Sequence, residues 1–330
     1  MNRKATITGL GMYVPSKVFT NKDMEQIVDT SDEWITSRTG IKKRHIADED
    51  EPTSKLAFEA AVEALDNANI KASELDMILV ATVTPDMQFP ATACLLEDRL
   101  GANNCATLDI EAGCSGFVYA VSVAHQFIST GMYDNILVIG AETLSKIMDW
   151  NDRNTCVLFG DGAGAAVLQP TNKGGFLSFD LGSDGSGGSS LYLPGGGSLN
   201  PTSEETLKNR LHYIKMEGNQ VFKFAVKRMG QASLDVIKKA NYKPEDVDLF
   251  IPHQANTRII DAAARRLNLD EDEVYVNLPE YGNTSGASVP IALYEAREKG
   301  LIKQGDTIVL VAFGAGLTWA STIIEWNEEV

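Results

Sequence analysis

The sequence predicts an α/β protein built twice over, with mostly parallel strands covered by helices on both faces. Three observations carry that prediction. Short apolar runs (77-MILVA-81, 136-ILVIGA-141, 249-LFI-251 and 307-TIVLVAF-313) are rich in β-branched residues and do not alternate with polar ones, as expected of strands buried on both sides. Helical stretches separate these runs at the spacing of α/β layers. The pattern also recurs. At an offset of 172 residues, 68-ANIKASELDMILVATVTP-85 overlays 240-ANYKPEDVDLFIPHQANT-257, and 134-DNILVIGAE-142 overlays 306-DTIVLVAFG-314. A repeat this long is a duplicated domain and not a solenoid.

The first half is expected over 1–173 and the second over 174–330, meeting near Gly174-Gly175 before 176-FLSFDLG-182. The opening MNRKATITGLGMYVP lacks the apolar stretch of a signal peptide and reads as the first strand. Run 105-CATLDI-110 reads as a strand, and 116-GFVYAVSVAHQFIST-130 as a helix stopped by Gly131. Both halves read as helix end, acidic turn, apolar strand, helix, strand, helix and a further buried strand. The segment 182–205, rich in Gly, Ser and Pro, is by composition a flexible surface excursion. A loop folded over a site is the other reading.

At 330 residues the chain can bury one large core or two ordinary ones, and its mean hydropathy of −0.12 goes with the absence of any apolar run near twenty residues. Cysteines at 94, 105, 114 and 156 form neither CxxC nor a metal spacing, so reduced thiols in a cytoplasmic protein are expected. A net charge of −16 argues against nucleic acid and anionic membrane as general partners.

Cys114 lies in a strand-to-helix turn between Gly113 and Gly116. At a helix N-terminus the macrodipole favours a thiolate, which would lower the thiol pKa into the working range. Cys94, Cys105 and Cys156 read as buried structural thiols. His125 sits eleven residues along the same helix, about 16 Å away on the axis, too far to help. His45 reads as a solvated loop residue and His212 as a strand residue near the surface. His253 follows an apolar strand at its carboxyl end and opens the predicted helix 253-HQANTRIIDAAARRL-267. The repeat places Gly286 opposite Cys114, in the small-residue turn 281-YGNTSGASVP-290, with Asn283 three residues earlier.

The runs 29-DTSDEWITSRTGIKKRHIA-47, 111-EAGCSGF-117, 159-FGDGAGAAVL-168, 252-PHQANTRI-259, 282-GNTSGAS-288 and 312-AFGAGLTW-319 together resemble the β-ketoacyl-acyl-carrier-protein synthase III family, over the whole chain and in order. The resemblance implies a thiolase-like five-layered αβαβα fold of two pseudo-symmetric halves. It implies a catalytic set of Cys114, His253 and Asn283, with an oxyanion hole from the backbone of Cys114 and Ala315. It places coenzyme A contacts on Thr30, Trp34, Arg38 and Arg153, with Trp34 and Arg153 flanking the adenine. Phe89 matches the residue that reaches the partner's acyl pocket across a homodimer. Carrier docking falls on Lys223, Gln254, Arg258, Arg265 and Arg266, and Lys227 would add to the basic patch. Position 315 departs from the family's usual glycine, which touches backbone freedom but not the N–H.

The activity implied is a ping-pong, decarboxylative condensation of a short acyl-coenzyme A with malonyl-acyl carrier protein, initiating type II fatty acid synthesis without a metal, nicotinamide or pyridoxal cofactor. A starter-unit synthase of polyketide or secondary-lipid biosynthesis is the alternative within this class. A cysteine acyl hydrolase is the rival outside it, because Cys-His-Asn also serves acyl-enzyme hydrolysis.

Overall fold

A computed structural model describes residues 3–327. Strands β1 (Lys4–Tyr13), β2 (Met77–Ala81), β3 (Ala106–Ile110), β4 (Ile136–Glu142) and β5 (Gly162–Thr171) form a five-stranded sheet in the order β1-β5-β4-β2-β3. Strands β6 (Gly175–Ser183), β7 (Leu249–Pro252), β8 (Thr307–Gly314) and β9 (Thr318–Glu325) form a four-stranded sheet in the order β7-β8-β9-β6. The 172-residue offset carries β1, β2 and β4 onto β6, β7 and β8, with β9 in the place of β5, and the register coincides: Leu79 pairs with Val138 in one sheet and Ile251 with Leu310 in the other.

Pairing is more mixed than expected. The β4-β2-β3 and β7-β8 pairs are parallel, but β1-β5-β4 and β8-β9-β6 are antiparallel. A tight connection such as 315–317 between β8 and β9 can only join antiparallel neighbours. The halves also diverge at one strand. Residues equivalent to β3 form the short helical turn Leu278–Tyr281, where Pro279 has no N–H to give a ladder, and only a Phe250–Val274 bridge remains beside them.

Helices α1 (Asp32–Thr39), α2 (Thr53–Ala68), α3 (Thr92–Leu100), α4 (Gly116–Ser129), α5 (Gly218–Lys239), α6 (Thr257–Leu267) and α7 (Ser288–Glu298) complete the layers. Helix α2 buries Leu56, Ala57, Ala60, Ala61, Ala64 and Leu65 against one outer sheet face, and α5 covers the corresponding face of the other sheet. Between the sheets lie α4 and α7, touching both, which is why 116–129 is apolar almost all round. Each fully buried Val, Leu or Ile there contributes about 1.5–3 kcal/mol. The sequence Thr257–Leu267 forms a shorter helix than predicted, because Asn256 caps it through its side chain and leaves His253 to Ala255 outside.

The segment 182–205 is folded. Asp184 caps a 3₁₀ run Gly185–Ser190, Leu191–Tyr192 pairs with Lys215–Met216, and Ser203 caps a helix at Glu204–Lys208. Among the described residues no helix is long and apolar enough to cross a membrane.

Candidate active site at the joint of the two halves

The carboxyl ends of β2, β3, β4 and β8 converge where the two small-residue turns meet. Gly113, Cys114 and Ser115 make one 3₁₀ turn between β3 and α4, and Ser285, Gly286 and Ala287 make its counterpart before α7. Gly113 adopts φ +57°, and a Cβ on it would stand 2.7 Å from Ala315 N. A Cβ on Gly314 would stand 2.3 Å from Cys114 N. The catalytic-type turn is thus pressed against the β8–β9 connection, with the Cys114 and Ala315 backbones side by side.

Cys114 is 8% exposed and opens on a cavity of about 460 Å³ walled by Leu144, Ile147, Phe159, Leu191 and Ile214. Folded segment 182–205 supplies part of that wall, through Gly188, Leu191, Tyr192 and Leu193. Burial pushes the Cys114 thiol up to about 12, with Ser285 opposing and the buried Glu142 reinforcing the rise. Burial thus works against the thiolate expected from the helix end, because the apolar surroundings disfavour an anion at the resting site.

His253 is 1% exposed and held by its backbone N–H to Val311 O. Its Nδ1 lies 2.5 Å from Ser288 Oγ, its ring meets Phe313 edge-on, and its Nε2 is buried without a protein partner. Burial holds it down at about 3, so the imidazole is neutral. Asn283 is fixed at both ends: its N–H donates to Leu158 O, its C=O accepts from Gly160 N–H, and its Oδ1 accepts from Ser285 N–H at 2.9 Å. The last bond turns the amide so that its NH₂ remains for another partner.

Trp34, Arg38 and Arg153 lie together on the surface, with guanidinium carbons 5.7 Å (Arg38) and 5.1 Å (Arg153) from the indole. Arg153 donates to Asp29 O, and beside it the Thr30 Oγ1 is buried without a partner. An intervening base needs about 7 Å between flanking groups at van der Waals spacing. The pair therefore closes on itself, and Arg153 must swing away before anything stacks on Trp34. Phe89 is 84% exposed. Lys223, Lys227, Arg258 and Arg265 are exposed on α5 and α6, Arg258 lying over Phe222, and Arg266 bonds to Gln231.

Several expectations need correction. Gln254 is buried, and its amide is spent on Pro252 O, Tyr275 O and the Asn277 and Leu278 N–H groups, so it cannot touch a docking protein. His45 lies in the short strand Lys43–His45, bonded to Pro15 O and stacked on Tyr281, and is not a solvated loop residue. His212 lies in a turn beside Thr206 and not in a strand. Cys94 is exposed and Cys105 half-buried; only Cys156 matches the buried structural reading.

Three further residues touch the site. Ser285 and Ser288 stand inside the quoted GNTSGAS run, and Glu142 ends the aligned segment 134–142 opposite Gly314. A carboxylate at a strand end facing glycine in the repeat was the signal available.

A duplicated α/β core with a buried cysteine, histidine and asparagine at the joint defines a condensing enzyme of the thiolase fold. Family models described as 3-oxoacyl-[acyl-carrier-protein] synthase III and its C-terminal part match residues 108–185 and 237–326. The chain is 61% identical to the β-ketoacyl-[acyl-carrier-protein] synthase III of Caldanaerobacter subterraneus subsp. tengcongensis, covering 98% of both chains. It superposes on the crystal structure of the Thermus thermophilus β-ketoacyl-[acyl-carrier-protein] synthase III with a TM-score of 0.92 at 49% identity, covering 98% of this chain and 100% of that one. A priming β-ketosynthase from the R1128 polyketide pathway gives the same TM-score at 32% identity, covering 99% of this chain and 98% of that one. The chain belongs to the β-ketoacyl-[acyl-carrier-protein] synthase III family.

Proposed function

We propose that this enzyme condenses an acyl-coenzyme A primer with malonyl-acyl carrier protein, releasing carbon dioxide and giving 3-oxoacyl-acyl carrier protein, the initiating step of fatty acid synthesis. The observation that carries this reading is the pair of fixed, neutral donors beside a buried thiol. Cys114 attacks the primer thioester, and the proton it loses ends on the departing coenzyme A thiol. The Cys114 and Ala315 N–H groups hold the tetrahedral oxyanion.

The malonyl thioester then meets His253 and Asn283. Ser288 Oγ lies within reach of the Gln254 N–H, at 3.4 Å, which leaves its hydrogen for His253 Nδ1. The imidazole then carries its proton on Nε2, as a donor. That proton and the Asn283 NH₂ stabilise the enolate oxygen that forms as carbon dioxide departs. The enolate carbon attacks the acyl-cysteine, and the Cys114 sulfur leaves and is reprotonated.

The cavity beside Cys114 takes the acyl chain. Trp34, Arg38, Arg153 and Thr30 take coenzyme A, while Lys223, Lys227, Arg258, Arg265 and Arg266 receive the acidic carrier. No resident cofactor has a step to perform. A homodimer is supported by the edge position of β3, which has no strand beyond it among the described residues, and by the exposed side chains of Leu108 on that strand and of Phe89. The cytoplasm is the expected location.

The deciding experiment is incubation with acetyl-, isobutyryl- or octanoyl-coenzyme A plus malonyl carrier protein, followed by mass spectrometry. Acylated Cys114 and a 3-oxoacyl carrier are expected. Water as final acceptor, with no malonyl dependence, would instead establish the hydrolase.

A further inference from the structure

Glu142 is a fully buried carboxylate with no cation paired to it among the described residues. Its Oε2 accepts from Val83 N–H (3.1 Å), Thr84 Oγ1 (2.7 Å) and Thr82 Oγ1 (3.2 Å), and its Oε1 from Ser285 Oγ (3.0 Å) and Gly286 N–H (3.4 Å). It crosses from the end of β4 in the first half to the turn of the second. Five donors on two oxygens form a site for a carboxylate, ionised above about pH 7, and the occupant is part of the chain.

The duplication shows what this does. Under the 172-residue offset Gly286 corresponds to Cys114, and Glu142 corresponds to Gly314. In each half, the strand-end position of one sheet addresses the backbone nitrogen of the opposite turn. At Gly286 that nitrogen is capped by the Glu142 carboxylate. At Cys114 the corresponding residue has no side chain, and even a Cβ would stand 2.3 Å from the nitrogen. The first turn keeps its N–H for substrate, and the second has its carboxylate built in.

From this geometry, and resting on the condensation proposed above, we infer that Glu142 is a positioning residue that locks the second turn and thereby aims the Asn283 amide at the malonyl thioester. The lock passes through Ser285, whose hydroxyl is held by Glu142 and whose N–H holds Asn283 Oδ1. Ser285 has φ +49°, a left-handed conformation that a non-glycine residue keeps only when its surroundings hold it. A glutamine at position 142 offers one acceptor oxygen and one NH₂. Whichever way it turns, that NH₂ faces the Val83 N–H or the Gly286 N–H.

The test measures the two half-reactions separately in Glu142→Gln, Ser285→Ala and the double variant. Acylation of Cys114 by acyl-coenzyme A is followed by intact mass, and condensation is started from pre-acylated enzyme with malonyl carrier protein. Glu142→Gln is expected to lower kcat of condensation by tenfold or more, with KM for the malonyl carrier and the acylation rate within threefold. Ser285→Ala is expected to lower condensation from pre-acylated enzyme to a smaller degree, its acylation rate being set aside because the Ser285 hydroxyl also acts on the Cys114 thiol, and the double variant to lose little condensation beyond Glu142→Gln.

Retention of condensation in Glu142→Gln would overturn the inference. So would an equal loss of both half-reactions in step with a lowered Tm, the mark of a purely structural residue. If Glu142→Gln does not fold, unchanged condensation in Ser285→Ala overturns it. Wild-type turnover in both half-reactions separates this result from failure of the functional reading, which would show as no acyl-Cys114 in the wild type.

Discussion

Acidification should change the stability of two single variants in opposite directions relative to wild type. Burial without a counter-charge holds His253 at about 3 against an ordinary 6.5, so the folded protein refuses a proton that the unfolded chain accepts. The stability tied to this group is complete above pH 6.5 and is lost as the pH falls. At pH 5, one and a half pH units below the unfolded value, the loss is about 2 kcal/mol. Glu142 has the opposite sign, because burial raises it to about 7 from 4.5 despite its five donors. Here the folded protein keeps a proton that the unfolded chain has released. That contribution is complete below pH 4.5 and is lost as the pH rises through 7, so acidification from pH 8 to 5 returns roughly 2 to 3 kcal/mol.

In the wild type the two effects nearly cancel, and replacing either group uncovers the other. Urea unfolding at pH 8 and pH 5 provides the assay. Relative to wild type, His253→Gln should gain about 2 kcal/mol on acidification and Glu142→Gln should lose roughly 2 to 3 kcal/mol. His45 and His125, also held low by burial, are common to every chain compared and drop out of the differences. Both variants moving in the same direction, or both tracking wild type, would refute the burial argument for this site.

Other outcomes concern catalysis. His253→Ala and Asn283→Ala each remove one enolate donor, about 3 kcal/mol, so condensation should fall by roughly two orders of magnitude while Cys114 acylation persists in intact-mass spectra. Ser288→Ala removes the side-chain hydroxyl that bonds His253 Nδ1, and ¹⁵N spectra of labelled histidine should lose the single Nε2–H tautomer expected for wild type. Charge reversal at Arg258 should raise KM for malonyl carrier protein by tenfold or more and spare acyl transfer from coenzyme A; equal loss of both would remove the docking assignment. Trp34→Ala should raise KM for acyl-coenzyme A with kcat for the carrier-dependent step little changed, as read from initial rates.

Much of this was legible in the chain because local rules act over short distances. Uniform β-branched runs report burial on both faces, and a fixed offset between two such runs reports duplication, down to the Leu79–Val138 and Ile251–Leu310 register. The same offset set Gly286 opposite Cys114 and drew attention to Asn283. Folding then decided matters that depend on neighbours far along the chain. Gln254 sits in a motif beside His253, yet its four hydrogen bonds run to strand ends and a turn more than twenty residues away or to its own local backbone. The helix end beside Cys114 argues for a thiolate, but desolvation by a cavity assembled from both halves works against it. Composition made 182–205 a flexible excursion, whereas side-chain caps and a two-residue strand pair fold it over the thiol. The sequence by itself determined the layers and the duplication, because these rest on periodicity and on residue type, and it singled out the candidate reactive groups. Only the tertiary structure decided protonation, tautomer and the Glu142 lock, because each depends on which donors and how much water surround an atom after the two halves close on each other.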